Sequence, residues 1–238
     1  MRGFFDRIAA LPPWARLALT IVVGVTAWSV SSIGYFEMYP LLDAQIGYND
    51  APFFYVAYYG ACSLVVLLAF HRSFAEFAHH RFHYEYLAPS GAMIAAFALV
   101  ALFVLPRIPE AEWVLDGEPA EFFWATQVYF LPKSFEILFQ QVIVSALVIA
   151  LCRMQLSLRQ VSWLVAVMFG GFHLSLIFTV DTLAYVAHYT VASTLFGAVL
   201  PYILLRWRGG FLINYAIHWS FYVYDYALIH FAMAAQSP

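Results

Sequence analysis

The chain reads as an all-α, polytopic integral membrane protein with about seven transmembrane helices. Three observations predict this. Of 238 residues, 64% are hydrophobic and only 11% are charged, whereas soluble domains carry roughly 25% charged residues. The mean hydropathy is +0.78, so lipid must be its main solvent. Apolar runs recur along the chain, each long enough to cross a bilayer as a helix. Helices are expected because lipid offers the backbone no hydrogen-bond partners.

The runs cover about 17–36, 52–70, 88–106, 122–152, 159–180, 182–205 and 211–233. The first follows a positive N-terminus, and its length favours a retained span over a cleaved signal peptide. The fourth is overlong and contains Pro132, which predicts a kink, a tilt or an interfacial first turn. Connections are short, and no repeat or soluble domain interrupts them. A single transmembrane domain over 1–238 is therefore expected.

Charge sets the expected orientation. Arg2, Arg7 and Arg16 precede the first run, and Arg72 and Arg81 follow the second. Arg153 and Arg159 follow the fourth, and Arg206 and Arg208 the sixth. The alternate connections hold Glu37, Asp43, Asp50, Glu110, Glu112, Asp116, Glu118, Glu121 and Asp181, with Arg107 as their cation. The positive-inside rule then places the N-terminus in the cytoplasm and the C-terminus outside. A net charge of −3 without a basic tail gives no reason to expect nucleic acid as a partner. Cys62 and Cys152 lie in apolar segments and read as packing residues rather than a disulfide framework.

Ionisable residues inside a span are costly and usually face the bundle interior. Here they are Lys133 and Glu136 on span four, His173 on span five, His188 on span six, and His218, Asp225 and His230 on span seven. His230 lies near the outer end and reads as interfacial. Lys133, Glu136 and Gln140 are three and four residues apart and share one helix face, with Gln141 beside them. Asn214, His218, Tyr222 and Asp225 form a similar stripe. A bland reading stands beside this one: an ion pair that neutralises itself, and histidines that pack with hydrogen bonds.

A carboxylate and two imidazoles in a semi-dry pocket suit hydrolysis. The carboxylate can take a proton from water, and imidazoles can donate to a developing oxyanion. The same three groups could instead bind zinc, since two histidines and a glutamate form a catalytic ligand set. Seven spans also describe a rhodopsin, but the last span has no lysine for a retinal Schiff base. A separate loop holds His71, His79, His80 and His83 with Glu76 and Glu85. His79 and His83 are four apart and could share a metal on a helix. One such cluster falls short of the several that a di-iron oxygenase needs, so a basic loop touching anionic headgroups is the simpler reading.

"FGGFH", Phe169 to His173, resembles the Phe-x-x-x-His motif of the CAAX prenyl-protease and bacteriocin-processing family of intramembrane proteases. "FEILFQQ" is similar to that family's Glu-Glu-x-x-x-Arg motif. "TLFGAVLPYILLRWRGGFLINYAIHWSFY" looks like its small-residue helix, basic turn and motif histidine, here His218. The motifs come in the family's order over about 120–230. Only one glutamate is present: Glu136 takes either the first or the second glutamate position, with Gln141 or Gln140 at the arginine. Tyr222 stands at the usual asparagine, with Asp225 one turn on. The resemblance implies an intramembrane peptidase of a prokaryotic cytoplasmic membrane, acting on a membrane-embedded or lipidated peptide. Glu136 would activate water, and His173 and His218 would support the oxyanion. Lys133, Gln140, Gln141, His188, Asn214, Tyr222 and Asp225 would be supports. The alternative is an inactive relative serving as a binding, scaffold or accessory subunit beside other membrane proteins.

Overall fold

Pro13 to Leu41 form the first helix, apolar between Arg16 near its start and Glu37 near its end. The structure, a computed structural model, describes residues 11–41, 47–79, 87–108, 126–178 and 183–234. The described elements are α1 (Pro13–Leu41), α2 (Pro52–Ala69), α3 (His71–His79), α4 (Leu87–Leu99), α5 (Phe130–Cys152), α6 (Leu158–Leu174), α7 (Leu183–Arg206) and α8 (Gly210–Ala234). Among the described residues there is no strand. Proline opens α1 and α2, where a missing N–H costs no helical bond.

Six stretches are long and apolar enough to cross a membrane: Pro13–Tyr35, Pro52–Ala69, Ala88–Arg107, Gln127–Cys152, Leu158–Phe178 and Leu183–Arg206. Among the described residues the chain is thus an all-helical membrane protein with six such helices. The expected seventh, α8, is a 25-residue helix but is not among the six. Its tyrosines, tryptophan, histidines and asparagine lower its hydropathy. Pro132 sits in the first turn of α5, after a 3₁₀ turn at Gln127–Tyr129, so the helix interior is unbroken. Thr126 caps that turn by accepting from the Val128 N–H.

The chain falls into two units. Unit 1 comprises Met1–Trp28, Val65–Phe82 and Gln141–Asn214, and unit 2 comprises Ser29–Leu64, His83–Gln140 and Tyr215–Pro238. The core of unit 1 is built by Val144, Val148 and Leu151 of α5, Val161, Val165 and Phe169 of α6, and Leu200 and Leu204 of α7. Small residues let α6 and α7 approach closely. A Cβ on Gly197 would meet Ala166 Cα at 3.0 Å and the Val165 carbonyl oxygen at 3.1 Å. The Ser162 hydroxyl donates to the Ala198 carbonyl across the same seam. In lipid, such contact and hydrogen bonding replace the hydrophobic drive. Ser157 and Gln160 close a reciprocal capping box at the start of α6. The turn into α8 uses Gly209 at φ 67°, a conformation that favours glycine.

Unit 2 is held largely by aromatic rings. Tyr48 lies 4.9 Å from Tyr35, 5.1 Å from Tyr55 and 5.3 Å from Tyr129, centroid to centroid. Phe97 of α4 stacks on Trp219 of α8 at 4.1 Å and 14°. α4 leaves the α-helical ladder through a π turn at Val100–Val104 and a 3₁₀ turn at Leu105–Arg107. The Arg107 guanidinium folds back and donates to the Phe103 carbonyl there.

Candidate functional site

α5 brings the predicted face of polar residues together within unit 2. Lys133 Nζ lies 2.7 Å from Glu136 Oε2, one turn apart on the helix. Gln140 Nε2 donates to Glu136 Oε1 at 2.8 Å, again one turn on. The third donor comes from outside the helix: the Tyr48 hydroxyl donates to Glu136 Oε2 at 2.9 Å. The lysine side chain is 5% exposed and the glutamate 16%. Burial at this level makes each charge depend on its partners.

Lys133 is also ringed by aromatic faces. Its ammonium is 4.4 Å from the Tyr222 ring centroid, 5.6 Å from Tyr129 and 5.8 Å from Tyr48. All are within cation–π range. Tyr222 in turn stacks on His218 one turn earlier along α8, at 5.4 Å and 26°. Carboxylate, ammonium, phenol ring and imidazole therefore form one continuous series of contacts. His218, Tyr222 and Asp225 are all buried. Ser134, between the two charged residues of α5, accepts from Trp219 Nε1 at its hydroxyl (3.0 Å) and from the Tyr215 hydroxyl at its carbonyl (2.9 Å). These two bonds fix α8 against the first turns of α5.

The remaining predicted residues belong to unit 1. His173 Nδ1 is 2.8 Å from the Phe169 carbonyl oxygen. A carbonyl only accepts, so Nδ1 carries the proton, and in the neutral ring Nε2 presents a lone pair. That tautomer suits proton acceptance or metal ligation, and donation to an oxyanion requires the imidazolium. Trp28 and Phe172 pack around the ring, with centroids 6.2 and 6.0 Å from it. His188 is exposed on α7, edge-on to Tyr189. Asn214 donates to the Leu200 carbonyl at 3.1 Å and acts as an interhelical tie. Gln141 is fully buried.

His230 lies near the C-terminal end of α8. It is buried and packs on Tyr226 at 4.1 Å, because an i, i+4 neighbour offers it an aromatic face. Among the described residues no three His, Cys, Asp or Glu side chains gather to hold a metal. Of the histidine loop, His80 and His83 lie outside the described residues, as does the side chain of His79. Sequence reasoning missed Tyr48, Tyr129 and Ser134. The abundance of tyrosine, 16 residues, was the one signal pointing toward such a cluster.

No protein-family model matches the chain, and no curated protein or solved structure matches it either.

Proposed function

We propose that the chain is a divergent CAAX-protease-like peptidase of the membrane, in which Glu136 activates a water against a membrane-embedded or lipidated peptide. One observation carries this reading. The Glu136 carboxylate is set among donors only, and the amide oxygen of its neighbour Gln140 is buried with no hydrogen-bond partner among the described residues. A carboxylate in that setting is an acceptor, as a general base must be. The spare amide oxygen is a second acceptor, suited to orienting a water or a peptide N–H.

The proposed reaction balances with these groups alone. The water oxygen bonds to the scissile carbonyl carbon while its proton passes to Glu136. His218 donates a hydrogen bond to the oxyanion that forms. The tetrahedral intermediate collapses, the C–N bond breaks, and Glu136 returns the proton to the leaving amine. Lys133 and Tyr48 hold the carboxylate in place. The resemblance assigns His173 a supporting role.

A second reading is favoured by a different observation: both carboxylate oxygens already have donors, as in an ion pair that only braces a helix. On that reading the chain is a non-hydrolytic binding or assembly subunit. The two separate by peptide profiling of membranes holding wild type or Glu136→Gln. The peptidase reading expects cleavage products to fall by roughly 100-fold or more in the variant, the scale of a lost general base. His218→Ala should lower them as well. Folded variants that give the wild-type peptide profile would remove the peptidase reading. Loss of a co-purifying membrane subunit in those same variants would establish the second.

A further inference from the structure

Unit 1 contains a cleft that the Glu136 centre does not use. Its volume is about 80 Å³, it is open on one side, and it is lined almost wholly by apolar residues of α1, α5 and α6. Its α1 wall runs from Thr20 through Gly24 and Val25 to Trp28. At 1.5 Å per residue that wall is about 12 Å long. Gly24 forms the close point: a Cβ there would meet Ile143 Cγ2 at 3.2 Å.

One turn before the cleft stands Arg16. Its carbonyl accepts from the Thr20 hydroxyl at 2.8 Å, so Arg16 and the cleft's first residue share a helix face. Helical side chains lean toward the N-terminus, so the guanidinium is carried away from the cleft and toward the helix end. Its Nε is buried and meets no hydrogen-bond acceptor among the described residues. Cations predominate in unit 1 among the described residues. The described part of unit 1 holds Arg16, Arg72, Arg153, Arg159, Arg206 and Arg208 against the single carboxylate Glu76.

We propose that unit 1 binds one anionic phospholipid, with an acyl chain in this cleft and the headgroup phosphate at Arg16. Three features specify that occupant over a bare hydrocarbon. An unpaired N–H donor lies one turn beyond the end of an apolar cleft, about the offset between a chain and its phosphate. Guanidinium groups recognise phosphate oxygens through directed, charge-assisted bonds. The excess of arginine selects a net negative headgroup over a zwitterionic one.

The test uses the full chain, purified in detergent and stripped of lipid, then titrated with phosphatidylglycerol or phosphatidylcholine of identical acyl chains. Intact-complex mass spectrometry counts the bound lipid. Wild type should retain one phosphatidylglycerol and bind phosphatidylcholine about tenfold more weakly, the scale of one charged hydrogen bond. Arg16→Gln should lose that preference, and Arg16→Lys should keep much of it. Val25→Trp fills the cleft from its open side, where Val25 is 52% exposed, and should reduce retention of both lipids. Equal retention of the two lipids by wild type would overturn the proposal. So would wild-type retention in Val25→Trp, which decides the matter even if Arg16→Gln does not fold.

Discussion

Lys133 and Glu136 form a buried ion pair across one turn of α5, with 2.7 Å between Nζ and Oε2. The pair is neutral as a unit, but neither member is neutral alone. Removing the lysine should therefore harm the fold more than removing both. Lys133→Met should cost about 3 kcal/mol, because it leaves a mostly buried carboxylate with hydrogen bonds but no counter-charge. Lys133→Met/Glu136→Gln should recover much of that loss. Unfolding of the single and double variants in detergent closes the thermodynamic cycle. Additive losses would show that the two side chains do not support each other.

Tyr48 contributes a hydroxyl to Glu136 and a ring to the tyrosine cluster, and the two roles are separable. Tyr48→Phe keeps the ring and should cost about 1.5 kcal/mol, as for a hydrogen bond to a charged group. Tyr48→Ala loses the packing too and should cost about 3 kcal/mol or more. The comparison is read from thermal unfolding of both variants. Equal losses would mean that the hydroxyl contributes nothing.

Two glycines in the α6–α7 region should answer substitution with opposite signs. Gly197 faces the backbone of α6, and a larger residue there must push the helices apart. Gly197→Val should destabilise by about 2 kcal/mol, as overpacking does. Gly171, inside "FGGFH", has nothing within 4 Å of where a Cβ would stand. Gly171→Ala should be neutral or stabilise by up to about 1 kcal/mol through helix propensity. Unfolding midpoints measured side by side decide it. A destabilised Gly171→Ala would show that this position has a partner surface.

What sequence revealed here follows the reach of helical spacing. Lys133, Glu136 and Gln140 stand three and four residues apart, and the bonds among them are the ones that spacing offers. His218 and Tyr222 likewise meet as i, i+4 neighbours. Tyr48 was out of reach because it bonds to a residue 88 positions away, and no periodicity links a connecting segment to a helix face. Asn214 keeps its place in the stripe, yet its amide turns to the Leu200 carbonyl, a partner that backbone geometry supplies and residue identity does not. Six apolar stretches were legible from composition. The last helix blurs that signal because its polar stripe and its aromatic residues dilute the apolar ones.

The Arg107–Phe103 contact bears on how topology is inferred from charge. At the passage from the π turn to the 3₁₀ turn, the Phe103 carbonyl meets a side-chain donor. Arg107 supplies it from its own side chain. The cation that breaks the otherwise acidic pattern of those connections is thus a terminator for the helix, recruited by local winding. Its position says little about which way the polypeptide was threaded, and charge tallies for this chain are better made without it.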